Sequence, residues 1–242
     1  MKYSIIIPTF NEEKLLPALL SEISDAELKK RFDYEVIVSD GGSRDKTLEI
    51  AKRYADKVVE HHESSRQLIS QGRNRGAETA SGEILIFINA DIRISELEKL
   101  FMKIEDEFFP GNYIAMTCGV KVFPEDEIFS DRLFLGFYNR YFSFLNFIGL
   151  GMGRGECQII RKADFVAVNG YNEIMAAGED FDLFKRLRRK GKILFLKTFF
   201  VFESPRRYRK YGHVKVFFTW LANALSVMAF NKSLSDDWED IR

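Results

Sequence analysis

The sequence predicts an α/β protein: one domain with a mostly parallel central sheet and helices on both of its faces. Two observations carry this. Short apolar runs bounded by turn residues alternate with stretches of helical spacing through the first hundred residues. The connections between successive runs are long enough for a crossover helix, which makes the paired strands parallel.

Residues 4–7 read as a first strand, stopped by Pro8-Thr9. Asn11-Glu12-Glu13 then opens a helix with Leu15, Leu16, Leu19, Leu20 and Ile23 on one face. Residues 35–38 form a second strand ending at Ser39-Asp40. Ser43 caps a helix carrying Leu48, Ile50, Ala51 and Tyr54. A brief strand at 58–60, a helix at 71–80 and a strand at 83–88 complete the alternation. The second half is less regular: a helix at 97–109, a strand at 114–123, strands at 159–160 and 193–196 flanking a helix at 180–189, and a last helix at 214–230. In a helix at 133–148, positions 133, 134, 137, 138, 141, 142, 145 and 148 make an apolar face.

With 242 residues and 46% hydrophobic content, a substantial core is possible in a single unit. Lys+Arg and Asp+Glu both number 36, so net charge gives no case for a nucleic-acid partner. Two cysteines, Cys118 and Cys157, make no disulfide framework, and no secretory pattern precedes the first strand. The expected location is therefore the cytoplasm.

The residues that carry chemistry cluster at strand ends. Asn89-Ala90-Asp91 follows the apolar run Ile84–Ile88, in the crevice where α/β sheets hold ligands. An aspartate there offers hard oxygen ligands to Mg²⁺ or Mn²⁺. Pro8, Thr9, Asn11 and Glu12 lie beside Asp40, so the two strand ends can share a nucleotide pocket, with Asp40 accepting from a base N–H; plain capping duty for Asn11 and Asp40 has equal weight. Arg73 and Arg75, flanking Asn74, suit a diphosphate or a solvated helix face. Glu179-Asp180 opens a helix, where a carboxylate is either an N-cap or a general base.

Four motifs in order, "SIIIPTFNEE" (4–13), "EVIVSDGGSRDKT" (35–47), "GRNRGAETASGEILIFINAD" (72–91) and "NGYNEIMAAGEDFDLFKRLRRKG" (169–191), resemble the inverting glycosyltransferases of family 2, which have the GT-A fold. The resemblance spans roughly 3–210. It implies a GT-A domain over 1–210, with a nucleotide-binding half at 1–95 and an acceptor-binding half at 96–210, and leaves 211–242 as a C-terminal extension with an amphipathic helix. It further implies a nucleoside diphosphate sugar donor and a divalent cation held at Asp91 and Asn89. Asp180 becomes the base with Glu179 beside it, and the donor is lined by Pro8, Thr9, Asn11, Glu12, Asp40, Arg73, Asn74, Ala90, Arg206 and Arg207.

The sequence departs from the family pattern in three places. Asn89 replaces the first aspartate of the Asp-x-Asp element, and Gly41 replaces an acidic residue often found after Asp40. Ser204-Pro205-Arg206-Arg207-Tyr208 stands where some relatives carry Gln-x-x-Arg-Trp, with Arg206 or Arg207 facing the diphosphate and Tyr208 stacking nearby, or forming a plain basic surface. A catalytically silent nucleotide-sugar binder and a nucleotidylyltransferase are the alternatives. Neither glycine register in 149–155 completes Gly-x-Gly-x-x-Gly, so that stretch reads as a substrate lid. There is no Gly-Lys-Ser/Thr loop, and His61, His62 and His213 lack metal-ligand spacing. Aromatic residues crowd helix 133–148, and Val216, Phe217, Trp220, Leu221, Leu225 and Met228 share one side of the last helix. Neither run spans a bilayer, so the choices are a peripheral contact at the inner face of the cell membrane serving a lipid-linked acceptor, ordinary core, or a homodimer interface.

Overall fold

The structure is a computed structural model that describes residues 1–63 and 67–230, with the backbone alone for 228–230. The described residues form one eight-stranded sheet in the order β3-β2-β1-β4-β7-β6-β8-β5. The strands are β1 (Tyr3–Thr9), β2 (Tyr34–Asp40), β3 (Lys57–Glu60), β4 (Ile84–Ile88), β5 (Ile92–Arg93), β6 (Ala115–Val122), β7 (Cys157–Arg161) and β8 (Ile193–Glu203). Six run in one direction. β7 is antiparallel to both β4 and β6, and β5 is antiparallel to β8. The mostly parallel sheet expected from the sequence is thus present, with one reversed strand at its centre.

The helices are α1 (Leu16–Ile23), α2 (Ala26–Phe32), α3 (Thr47–Tyr54), α4 (Ile69–Thr79), α5 (Leu97–Lys103), α6 (Phe129–Phe147), α7 (Lys162–Ala167), α8 (Glu179–Arg188), α9 (Arg206–Tyr211) and α10 (His213–Phe230). Side chains alternate along the central strands, and both faces are covered. Ile5, Ile7, Val36, Val38 and Ile86 pack with Leu16, Leu19, Leu20 and Phe101 on one side. Ile6, Ile37, Leu85 and Phe87 pack with Ala77, Phe165, Leu183, Phe184 and Leu187 on the other. Strands buried on both faces read as continuous apolar runs, which is why they were visible in the sequence. Each such Ile, Leu or Phe removed from water contributes about 1.5–3 kcal/mol.

Local boundaries move where loop chemistry overrides periodicity. Asn11 does not open α1: it sits at φ +52°, and the helix starts at Leu16 with Pro17 in its first turn. Ser43 does not cap α3, which begins at Thr47. Its hydroxyl instead joins the β1 and β2 loops. The helix expected at 97–109 is α5 followed by a π-helical turn, Ile104–Phe108. α6 starts four residues early, because Asp131 accepts from the Ile128 N–H at 3.0 Å. β8 continues past Leu196 to Glu203, through a register shift between Cys118 and Gly119 of its partner β6. The extension expected at 211–242 is described only as far as residue 230; residues 231–242 lie outside the described part.

α10 lies against α6 and α8. Trp220 meets Tyr138 edge-on at 5.3 Å, and Phe217 meets Tyr138 at 5.9 Å. The side of α10 carrying Val216, Phe217 and Trp220 is therefore packed on protein. Among the described residues no helix is long and apolar enough to cross a membrane.

Candidate active site

Parallel strands deliver their carboxyl ends to one edge of a sheet, and here β1, β2, β4 and β8 end together. The β1 and β2 loops are joined first. Thr9 pairs with Asp40 in register, and the Asp40 carboxylate accepts from Thr9 Oγ1 at 3.0 Å, Ser43 Oγ at 2.5 Å, Gly42 N at 3.1 Å and Ser43 N at 2.9 Å. That uses all four acceptor positions of a carboxylate. Asp40 therefore organises the turn that follows β2 in this structure. Asn11 does the same from the other side: its N–H donates to Ser43 Oγ and its Oδ1 accepts from Arg44 N, each at 2.8 Å. Glu12 N donates to Thr47 Oγ1 at 2.7 Å. Pro8 and Thr9 line the floor between these loops as buried residues.

At the end of β4, Asn89, Ala90 and Asp91 are each met by a different partner. Asn89 Oδ1 accepts from Arg73 Nη2 at 2.9 Å, Ala90 is buried, and Asp91 Oδ2 accepts from Arg206 Nη2 at 3.0 Å. Arg206 also donates to both Glu12 oxygens, at 2.8 and 3.3 Å. This guanidinium at the start of α9 ties the β1 loop to the β4 end. Arg207, beside it, is half-buried.

Arg73 is fully buried, at the wall of the cavity described below, and its guanidinium is held by protein groups. Its Nη1 donates to Glu179 Oε1 at 2.8 Å, its Nη2 to Asn89 and to Gly155 O at 3.0 Å, and its guanidinium lies 5.1 Å from the Tyr171 ring centroid. A buried charge persists only when paired and hydrogen-bonded in this way. Asn74 clamps the backbone of Tyr171 from both sides, at 2.9 and 3.0 Å, and donates to Glu173. Arg75 turns away to His61 and Glu63.

Glu179 and Asp180 open α8, but the N-cap is Gly178, in the left-handed region at φ +78°, with no side-chain cap bond. Among the described residues Asp180 Oδ1 accepts only from the adjacent Phe181 N, at 2.9 Å. The carboxylate instead faces a cavity of about 120 Å³ bounded by Asn89, Phe142, Arg154, Glu156 and Trp220. Burial first, then the charges of Glu179 and Glu156, push Asp180 up to about 8 against the opposing pull of Arg73.

The reversed strand β7 supplies residues that the sequence reading missed. Ile88 pairs with Cys157, so the residues before β7, not after it, reach the site. Arg154 and Glu156 arrive there, paired at 3.1 Å. Burial alone would raise the Glu156 carboxyl, but Arg154 outweighs it and holds it low. Glu203, at the end of β8, lies 3.7 Å from Arg154 and accepts from Tyr208 Oη at 2.5 Å. It is pushed up to about 8 by burial and by Glu156. Tyr208 is buried in that contact and stacked on His213. The signal in the sequence was two charged residues, Arg154 and Glu156, flanking Gly155 just before an apolar strand.

The stretch 149–155, expected as a substrate lid, is packed against α8 in this structure. Gly149 and Gly151 lie against Arg188, and Gly153 lies against the Phe184 ring. Gly155 is a close approach: a Cβ there would stand 3.0 Å from Arg73 Nη2 and 3.5 Å from Asp180 Oδ2.

A divalent cation was expected on Asp91 and Asn89. Asn89 Oδ1 accepts from Arg73 in this structure, which leaves one lone pair for a cation. Asp91 still suits a hard cation as the one protein carboxylate of a site completed by donor phosphates, provided Arg206 releases it. Among the described residues no three His, Cys, Asp or Glu side chains form a metal cluster of their own.

Comparisons with known proteins agree with this architecture. A glycosyltransferase of Mycobacterium tuberculosis named for PGL/p-HBAD biosynthesis is 38% identical over 101 residues, 40% of this chain and 38% of that protein. The dolichyl-phosphate beta-glucosyltransferase of Homo sapiens is 31% identical over 144 residues, 53% of this chain and 44% of that protein. The chain thus spans less than half the length of these relatives. A mannosyltransferase from Pyrobaculum calidifontis, solved with GDP-Man and Mn²⁺, superposes with a TM-score of 0.69 at 20% identity, covering 93% of this chain and 61% of that one; it establishes a shared GT-A fold. The family model described as glycosyl transferase family 2 matches residues 4–166, and the chain belongs to that family.

Proposed function

We propose that the chain transfers a sugar from a nucleoside diphosphate sugar to an acceptor hydroxyl with inversion, using Asp180 as general base. The observation that carries this is the Asp180 carboxylate. It serves no cap, it faces a partly open cavity, and its neighbours bring it near neutral pH, where a general base works best. The GDP-Man bound by the mannosyltransferase relative supports the donor class.

The acceptor O–H gives its proton to Asp180 as its oxygen attacks the anomeric carbon. The bond from that carbon to the diphosphate breaks on the opposite face, and the electron pair leaves with the diphosphate. One such displacement inverts the centre and needs no second carboxylate nucleophile. Arg206 is poised to stabilise the leaving charge once it exchanges Asp91 for phosphate oxygens. Asp91 would hold a divalent cation, which when bound neutralises the diphosphate. Arg73 keeps Glu179 and Asn89 in place beneath the cavity.

The test is a panel of UDP-, GDP- and dTDP-sugars, with and without Mn²⁺, read first by thermal shift and then by release of nucleoside diphosphate with added acceptors. Stabilisation by one donor, with nucleoside diphosphate released in an Asp180-dependent way, is expected. Binding without turnover would favour a silent sugar-nucleotide binder, and release of pyrophosphate a nucleotidylyltransferase.

A further inference from the structure

A second, larger hollow lies on another face of α6 and shares no lining residue with the catalytic cavity. It is an open groove of about 760 Å³ between α6 and the β6–β8 pair. Its construction is specific. β7 leaves β6 after Thr117, so the Val120 N–H and C=O would be unpaired. Asn139 of α6 takes both, at 3.0 and 2.9 Å, and fastens the helix across the strand. The register shift after Cys118 then brings Phe200 opposite Gly119, where a Cβ would stand 2.6 Å from the Phe200 ring. Between helix and sheet a trough remains.

The lining is amphipathic in one sense only. Leu135, Phe144, Phe147, Phe195 and Phe200 give an apolar wall. Charge comes from Lys121, Arg132, Arg140 and Lys197 against the single carboxylate of Glu127, which Arg132 already pairs at 2.8 Å. Lys121 lies 4.1 Å from the Phe200 ring centroid, Arg140 donates to Gly136 O of its own helix, and among the described residues neither they nor Lys197 has an ion pair. Phe147 is 87% exposed and Phe144 56%. The exposed surface continues along α6 through Leu133 and Phe137. Exposed aromatic rings beside unpaired cations do not match a subunit interface, whose centre is depleted of lysine. They match a molecule with an apolar tail and an anionic head.

We propose that this groove seats one acyl chain of an anionic membrane phospholipid, with its phosphate among Lys121, Arg140 and Lys197, and that the domain docks on a bilayer through this face of α6. The site is separate from the donor cavity, so lipid and donor bind independently.

The experiment is co-sedimentation of the full chain with phosphatidylcholine vesicles, with and without phosphatidylglycerol, over a salt series. Binding only to the anionic vesicles, weakening with salt, is expected. Lys121→Gln with Lys197→Gln should weaken it about thirtyfold, as two charges near an anionic leaflet would. Gly136→Leu, which places a better helix former in α6 but abuts Arg140 Nη1 at 3.4 Å, is combined with Arg140→Gln and compared with Arg140→Gln alone, so that the decisive comparison fills the trough at constant charge. The double variant should bind severalfold more weakly than Arg140→Gln, whereas equal binding would leave only surface adsorption and overturn the groove. Phe147→Trp should show a blue-shifted emission that brominated acyl chains quench; no quenching also overturns the proposal. A parent protein that ignores anionic vesicles and sediments as a dimer broken by Phe147→Ser would assign the face to a second copy instead. Donor thermal shift should be the same in all these variants, so failure here is distinct from failure of the glycosyltransferase reading.

Discussion

Asp180→Asn separates the catalytic and structural readings of the α8 start, because the two predict opposite changes in stability. A carboxyl raised to about 8 in the folded state from about 4 unfolded keeps its proton only when folded. Between those values the native state binds more protons than the unfolded state, so the stability of the parent falls as pH rises from about 4 to about 8. The full shift sets a ceiling of about 6 kcal/mol at about 1.4 kcal/mol per unit. Asp180 faces a cavity able to hold water and shares its repulsion with Glu179 and Glu156, so an effect on the order of 2 kcal/mol is the expectation. Asparagine removes the ionisation and keeps the shape.

The variant should therefore melt roughly 4–8 °C above the parent at pH 8.5, since about 1 kcal/mol moves a chain of this size by about 2–4 °C. At pH 5 the gain should shrink to a small fraction. Turnover should fall by at least about a hundredfold with donor affinity nearly unchanged, and the parent's rising kcat/KM limb, centred near 8, should vanish. Scanning calorimetry at both pH values and initial rates between pH 6 and 9 provide the data. A variant that melts lower at both pH values and retains its rate would refute the reasoning, and Asp180 would then be a structural residue.

Arg73→Met should cost about 3–5 kcal/mol, because Glu179 would be left buried without its partner and Asn89 and Gly155 O would lose a donor; urea unfolding measures it, and a loss under about 1 kcal/mol would mean that the cluster relaxes freely. Arg206→Ala should free Asp91 and Glu12, so that Mn²⁺ alone binds more tightly by calorimetry while donor affinity falls; unchanged affinity for both would remove Arg206 from the site.

What the sequence made legible follows from what periodicity encodes. The two-faced burial of β1, β2 and β4 wrote itself as apolar runs, and the crossover lengths told of parallel pairing. The positions of Asp91 and Asp180 followed from strand and helix boundaries. Side-chain direction did not follow, because a fully buried arginine and a solvated one look alike in a chain of Gly72-Arg73-Asn74-Arg75. The reversal of β7 was also invisible, since an apolar pentamer such as Cys157–Arg161 carries no sign of its direction.

That reversal decides the character of the site. Had β7 run with its neighbours, its carboxyl end would have met the donor edge, and Arg154 and Glu156 would lie at the far end of the sheet. Running backwards, it brings a buried ion pair beside Asp180 and within 3.7 Å of Glu203. Glu156, held ionised by Arg154, in turn raises both Asp180 and Glu203. The arginine nearest that charge thus sets indirectly how readily the proposed base holds a proton. Asn89 belongs to the same balance. An aspartate there would accept from Arg73 as a charge, drawing it from Glu179, and would add a further negative group to a cavity already lined by Glu156, Glu179 and Asp180. The neutral amide satisfies Arg73 without that repulsion, and the charge at the β4 end is left to Asp91, which Arg206 pairs.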